Sequence, residues 1–348
     1  MDVLKTQPLP ARSGGQPVEV LVTGGGGYIG SHAVRELCET GFSVVILDNL
    51  SSGHLEAITA AGDFKLYQAD LGDEQALEAC FRQHHFRGVI HFAGHSLVGE
   101  SVRDPEKYYG TNLIGSLNLL TLCKRHDVKN VVFSSTCSVY GVPHQLPITE
   151  EHPRHPINPY GRTKLAFEHA LESYHDAHGI NYLALRYFNA AGADPKGDLG
   201  EVHQQETHLI PNAFRVALGQ LEHLTIHGRD YPTPDGTCIR DYIHVSDLAE
   251  MHVTGLEHLL GGGESGAFNL GTGRGHSVLE TLRACEETCG RKIPTVDGPR
   301  RSGDPPSLVA DPNKAMRVLG FAPKHSDLQT ITAHAWHWFS KHPHGYAS

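Results

Sequence analysis

Strand-like and helix-like segments alternate from residue 18 to residue 189, a glycine-rich turn joins the first strand to the first helix, and an acid ends the second strand. These observations predict an α/β chain built on a doubly wound parallel sheet, because strands separated by helices are joined by crossovers. Valine-rich apolar runs place strands at 18–24 (VEVLVTG), 43–49 (SVVILDN), 65–70 (KLYQAD), 88–94 (GVIHFAG), 130–135 (NVVFSS) and 181–189 (NYLALRYFN). Helical spacing predicts helices at 31–41, stopped by Gly41, and at 73–84. It also predicts a long helix at 104–126, with Pro105 near its first turn, and one at 159–179 with proline first and glycine last. After residue 190 the pattern loosens into loops such as GADPKGDLGE (192–201), YPTPDGT (231–237) and GPRRSGDPPS (298–307). They suggest a smaller C-terminal substrate-binding region interleaved with the last elements of the sheet. The expected division is a loose tail at 1–17, a sheet domain at 18–190 with a return segment about 236–270, and a mainly substrate-binding region at 191–348.

The 348 residues are 39 % apolar, enough for one large or two smaller cores. No apolar run approaches the ~18 residues of a membrane helix. The first residues, MDVLKTQPLPARSGGQP, lack a hydrophobic signal centre and a cleavage motif, so a cytoplasmic protein is expected. The seven cysteines are odd in number and scattered, which predicts reduced thiols. The 26 histidines are spread along the chain without an HExxH motif, so no metal is expected. A net charge of −10 argues against a nucleic-acid surface, though a few local arginines can still hold an anionic small molecule.

The turn VTGGGGYIGSH fits two spacings: Gly24, Gly27 and Gly30, or Gly25, Gly27 and Gly30. In both, glycines let the backbone turn sharply and approach a pyrophosphate that the helix N-terminus faces. Asp48 ends the second strand, where an acid binds adenosine ribose hydroxyls and repels a 2′-phosphate. A Rossmann-type domain for NAD rather than NADP is therefore predicted. Asp70 ends the third strand and either holds the adenine amino group or caps the next helix.

The stretch SSTCSVYG (134–141) carries hydroxyls at Ser134, Ser135, Thr136, Ser138 and Tyr140. YGRTK then sets Tyr160 and Lys164 on one face of a helix start. A phenol with its ordinary pKa near ~10 is a poor base at neutral pH. A neighbouring ammonium, a cationic cofactor ring and a helix N-terminus all favour phenolate, so the Tyr160 pKa is expected to fall toward the working pH. The plain alternative is a surface i,i+4 pair. A glycine loop, a hydroxyl-rich strand end and this pair stand in the order a hydride-transfer enzyme needs.

With TGGGGYIGSH, LDNLSSGH, HFAG, VGES, SSTCSVYG, NPYGRTK, LRYFNAAGA, RDYIHVSDLA and NLGTG in sequence, nearly the whole chain resembles the extended short-chain dehydrogenase/reductase family, in particular its UDP-hexose 4-epimerases. The resemblance implies a homodimeric, NAD-dependent isomerase that interconverts UDP-glucose and UDP-galactose. It inverts C4 by transient hydride transfer to tightly bound NAD through a 4-keto sugar, with UDP-N-acetylhexosamines as further candidates. It implies Tyr160 as the acid/base, Lys164 as holder of the nicotinamide ribose, and Thr136 as hydrogen-bond partner of the 4-oxygen. On the cofactor side it implies Gly24, Gly27, Tyr28, Ile29, Gly30, Asp48, Asn49, Asp70 and Leu71. Phe92, Ala93 and Gly94 follow as the back wall, Asn112 as a contact from the long helix, and Ser134, Tyr187 and Phe188 beside the nicotinamide. On the substrate side it implies Thr136, Ser138, Tyr160, Phe188 and Asn189 near the sugar and diphosphate, and backbone groups of His208 and Leu209. Leu224, Thr225 and Ile226 would bind uracil, Arg240 and Arg301 the diphosphate, Asp304 the uridine ribose, and Leu308 would stand over the sugar pocket.

Sister enzymes that dehydrate nucleotide sugars follow the threonine with acids, where this chain has Cys137 and Ser138. Related decarboxylases place a glutamate where Ser138 stands. A 4-epimerase of UDP-xylose/arabinose or UDP-glucuronate stays open, because it shares this strand end. A non-catalytic NAD-binding sensor would usually have lost Tyr160 or Lys164. Ser96 stands where some relatives carry a lysine. At Leu308 a tyrosine would exclude an N-acetyl group and a small residue would admit it; leucine is intermediate.

Overall fold

The computed structural model describes residues 17–301 and 304–346. The expected tail therefore lies outside the described residues, apart from Pro17. The main sheet has seven strands: β1 (Glu19–Thr23), β2 (Ser43–Asp48), β3 (Phe64–Gln68), β4 (Gly88–His91), β5 (Asn130–Thr136), β6 (Asn181–Tyr187) and β7 (Gly266–Leu270). All pairings are parallel, in the order β7-β6-β5-β4-β1-β2-β3. The chain builds from β1 out to β3, then returns to place β4 on the other side of β1. Ligands of doubly wound sheets sit at the carboxyl ends of the strands at this reversal.

Buried strands alternate their side chains between two cores. Val20 and Val22 point with Ile46, Ile90, Val132 and Leu183 toward helices α1 (Tyr28–Glu39) and α4 (Val245–Leu260). Leu21 points with Val45, Leu47, Val89 and Phe133 toward α2 (Ser116–Arg125) and α3 (Pro159–His178). The C-terminal half divides between this sheet and a second core. β7, Ala315, Leu319 and Phe321 pack with the sheet. Phe214, Ile226, Cys285, Ile331 and Trp338 form the separate core beneath a ladder of Leu224–His227 on Thr295–Gly298.

The expected helix at 104–126 is interrupted: Pro105–Tyr108 is α-helical, Tyr109–Gly115 is a π-turn, and α2 continues from Ser116. The wider turn coincides with contacts to other segments. Asn112 turns its amide out to the chain at His95, and Ser116 Oγ donates to the Asn112 carbonyl at 2.8 Å, within the helix. Gly115 lies so close to Leu71 that a Cβ would come within 2.8 Å of the leucine Cβ. The expected strand at 88–94 stops at His91 because the Phe92 and Ala93 N–H groups both donate to Thr23 O, at 2.9 and 3.1 Å. The short helices Leu55–Ala61 and Val98–Arg103 were not read from the sequence. All seven cysteines are unpaired. No helix among the described residues is long and apolar enough to cross a membrane.

Candidate active site

The glycine turn is closed to side chains by backbone. Gly24 has φ +73°, and a Cβ there would lie 2.5 Å from Ala93 N; one on Gly30 would lie 2.1 Å from Gly24 O. Neither neighbour can swing away, so these positions require glycine. A Cβ on Gly25 would meet the Ile46 side chain, at 2.8 Å. The structure thus favours the Gly24–Gly27–Gly30 spacing, with Gly27 as the N-cap of α1. Tyr28 opens that helix and donates to Gly192 O at 2.8 Å, while Ile29 packs against the core.

Asp48 is buried at the end of β2 and accepts the N–H groups of Gly26 and Leu50, each at 2.8 Å. Its carboxylate fixes the glycine turn. Asn49 Nδ2 donates to Asp70 Oδ2 at 2.7 Å, and Asp70 Oδ1 accepts Gly72 N–H at 2.7 Å. The next helix is capped by Asp73, not Asp70, which removes the capping alternative for Asp70. Leu71 buries its side chain against Gly115 and gives its carbonyl to Asn118 Nδ2 at 3.1 Å. Across the crevice, Asn112 clamps the loop after β4: its Oδ1 accepts His95 N–H at 2.8 Å, and its Nδ2 donates to His95 O at 2.9 Å. Asn112, expected to contact a cofactor, shapes the Gly94 turn.

The candidate acid/base residues meet where β5 ends and α3 begins. Asn158 caps α3 by accepting Gly161 N–H at 2.8 Å. Gly161 lets the helix start lie against the Ser138 carbonyl, which a Cβ would meet at 2.6 Å. That approach brings Tyr160, 8 % exposed, beside Thr136. Thr136 Oγ1 accepts Ser138 N–H at 3.1 Å. One helical turn on, Lys164 Nζ donates to Ser134 O at 2.8 Å and lies 5.9 Å from the centre of the Tyr160 ring. Ser134 Oγ and Tyr187 OH are 2.6 Å apart.

Burial raises the Tyr160 phenol well above its usual range, Tyr187 adds to this, and the Thr136 hydroxyl opposes it. Burial lowers the Lys164 ammonium to about 8, with Glu168 opposing. The expected fall of the phenol pKa is therefore not produced by the polypeptide. Lys164 makes its hydrogen bond to a carbonyl, and burial of the ring dominates. Of the causes named from the sequence, the cationic cofactor ring is the one the chain itself does not supply.

The substrate-side candidates are spread over several elements. Phe188 and Leu308 pack in one small core with Cys137, Val139 and Tyr140, directly behind Thr136, and Ser138 is half-buried beside them. Asn189 begins a short strand whose N–H donates to Asp241 O at 3.1 Å. Arg240 stands in register with Leu308, yet its guanidinium is paired with Asp304. The two were assigned separate parts of a nucleotide; here they satisfy each other. Arg301 reaches Thr207 O at 3.4 Å. Leu224 and Ile226 are buried in the second core and Thr225 is half-buried. One edge of their strand pairs with Thr295–Gly298, and the other meets no strand among the described residues. His208 and Leu209 open the helix Leu209–Ala217, but the His208 N–H goes to Glu206 Oε1 at 2.8 Å and its ring to Glu201.

Sequence reasoning missed the buried network under this site. Ser135 Oγ donates to Glu168 Oε1 at 2.5 Å, and Arg186 NH2 meets Glu168 Oε2 at 2.6 Å. Arg186 NH1 donates to Tyr140 OH at 3.0 Å, which donates to Asn269 Oδ1 at 2.6 Å. The available signal was Glu168 itself, one helical turn beyond Lys164 on the same face.

The sequence profile of the NAD dependent epimerase/dehydratase family matches residues 20–271. The UDP-glucose 4-epimerase of Halalkalibacterium halodurans is 52 % identical over 329 residues, 94 % of this chain and 98 % of that protein. The crystal structure of UDP-glucose 4-epimerase from Brucella ovis in complex with NAD superposes with a TM-score of 0.88 at 50 % identity, covering 92 % of this chain and 98 % of that one. That of UDP-glucose 4-epimerase from Bifidobacterium longum in complex with NAD+ and UDP gives 0.90 at 41 % identity, covering 94 % and 100 %. A profile matched over most of the chain, with half the residues shared with such a relative, establishes that the chain belongs to the NAD dependent epimerase/dehydratase family.

Proposed function

We propose that this protein interconverts UDP-glucose and UDP-galactose by inverting the sugar at C4, with NAD held throughout. The observation that carries this reading is the meeting of Tyr160, Thr136 and Lys164 at the end of β5, across from a glycine turn that admits no side chain at Gly24 or Gly30. The names of the relatives point the same way.

The residues fit the cofactor. Gly24, Gly27 and Gly30 with the α1 N-terminus would take the pyrophosphate, and Asp48, Asn49 and Asp70 the adenosine. Lys164, Ser134 and Tyr187 would meet the nicotinamide end. Bound NAD supplies a reversible two-electron acceptor beside the sugar. Tyr160 takes the 4-hydroxyl proton and later returns it, while Thr136 holds the same oxygen. Arg240 and Arg301 anchor the diphosphate; a phosphate competing for Arg240 would free Asp304 for ribose hydroxyls. Phe188 and Leu308 give the sugar apolar walls. Such walls favour neither 4-hydroxyl orientation, so anchoring falls to the nucleotide and the sugar is free to turn. A cytoplasmic homodimer belongs to this reading. Val102 and Ile114, 63 % and 58 % exposed on the helical stretch 98–125, support a face that a second copy would cover.

Purified, desalted protein should release NAD on denaturation and convert UDP-galactose to UDP-glucose without added reductant. Retained NAD with no conversion of this substrate would overturn the assignment. Breadth is tested at Leu308. Leu308→Ala should raise kcat/KM for UDP-N-acetylglucosamine relative to UDP-galactose by roughly 10- to 100-fold, the range for a few methylenes in an apolar wall. An unchanged ratio means this wall is not the gate.

A further inference from the structure

We propose that Glu201, His203, Glu206 and His208 form a site for one divalent transition-metal ion of the zinc class, with a structural role. Each side chain offers one ligand atom, and these atoms all lie within 4.8 Å of one another. His203 Nδ1 is 3.3 Å from Glu201 Oε1 and 3.1 Å from Glu206 Oε2. His208 Nδ1 is in contact with Glu201 Oε1 and 3.5 Å from Glu206 Oε1. An ion with bonds near ~2.0–2.1 Å sets its ligands roughly 3.3 Å apart along the edges of a tetrahedron. Three of these separations lie near that spacing, and the His208 and Glu201 side chains, now in direct contact, would part to admit the ion.

The donor set selects the class of ion. Two imidazoles and two carboxylates suit zinc and its neighbours, whereas calcium and magnesium prefer oxygen alone. The charge also fits: the Glu201 and Glu206 side chains are 3 % and 6 % exposed, and a divalent ion would balance both while the imidazoles stay neutral. With four protein ligands no coordination position stays open, which marks a structural rather than a catalytic ion.

The ligands sit on backbone fixed from outside. Gly200 lies against the Trp338 ring, where a Cβ would come within 2.3 Å, and both its N–H and its carbonyl bond Tyr346 OH at 3.1 Å. His54 Nε2 meets Val202 O at 3.3 Å, and Asn212 Nδ2 donates to Glu206 O at 3.3 Å. Glu206 Oε1 accepts the N–H groups of Thr207 and His208, at 2.8 Å each, leaving Oε2 toward His203. Such outer contacts orient metal ligands. Thr207, between two of the ligands, accepts from Arg301. The ion would therefore pin the start of the helix Leu209–Ala217 beside an arginine of the nucleotide site. The spacing E-x-H-x-x-E-x-H lies in a loop, so a search for helical HExxH passes over it.

The test uses the full chain, stripped with a chelator and dialysed. Zn2+ is titrated against a chromophoric competitor, and Co2+ is followed by its visible spectrum. The expected result is one tight equivalent per chain, a four-coordinate cobalt spectrum, and a Zn2+-dependent rise in Tm. All three should be absent in His203→Asn/Glu206→Gln protein that keeps its circular dichroism and its NAD. Loose binding to other histidines survives in that variant and so is subtracted. If the variant does not fold, His203→Asn alone carries the same comparison, because its side chain is 25 % exposed. Equal binding by parent and variant overturns the proposal and leaves a cage of protonated histidines and carboxylates. Epimerase activity is measured separately, so this failure is distinct from failure of the assigned reaction.

Discussion

Tyr160→Phe should slow conversion of UDP-galactose roughly 10²- to 10⁴-fold, the range for removing a positioned acid/base. Bound NAD and the affinity for UDP should stay close to those of the parent. The ring keeps its place, because it is packed edge-on to Tyr108 with centroids 6.5 Å apart and rests on a helix start fixed by Asn158 and Gly161. Only the hydroxyl beside Thr136 is lost. Thr136→Val should cost less alone, since its hydroxyl assists a proton transfer that the phenol carries out. The double variant should lose less than the product of the two single losses, because both act on one proton. The check is kcat and KM for the three variants, with NAD content measured on each. Near-full activity of the phenylalanine variant would remove Tyr160 from its role.

Much of this site was legible because its parts are local. The glycine turn, the acid after β2 and the Tyr160–Lys164 spacing each lie within a few residues, and strand and helix periods place them. Other features depend on approach in space. The π-turn arises where Asn112 meets His95 and Gly115 meets Leu71, contacts that no periodicity encodes. The rise of the Tyr160 pKa follows from the depth at which the ring is buried. Strands of two to four residues at Leu224–His227, Ile239–Arg240 and Ser307–Leu308 are too short for alternation to show. The four donors at 201–208 converge only because the loop folds back on itself.

Arg186→Met should lower the unfolding free energy by about 3–5 kcal/mol, the cost of leaving a buried partner charge uncompensated. Arg186 and Glu168 are 2 % and 1 % exposed. Without the guanidinium, Glu168 keeps the Ser135 hydroxyl and Arg154, whose NH1 lies 3.5 Å away with its side chain 31 % exposed. Tyr140 loses a donor in the same change. Urea unfolding followed by circular dichroism reads the effect, and a loss below ~1 kcal/mol, the scale of a surface ion pair, would show that the pair is not holding the fold. Glu168→Gln tests the link to chemistry. The carboxylate supports the Lys164 proton against burial, so its neutralisation should let the ammonium lose its proton more easily. A rate that needs protonated Lys164 would then fall at lower pH than in the parent, and an unmoved alkaline limb would separate the network from the reaction. The geometry explains how one strand end serves both purposes. Successive residues of β5 point to opposite faces: Ser134 and Thr136 lie on the face shared with Tyr187 and Tyr160, and Ser135 points away to Glu168. The hydroxyls of Ser134, Ser135 and Thr136 are two sets interleaved by the pleat, one facing Tyr187 and Tyr160 and one that locks the strand to the helix carrying Tyr160 and Lys164.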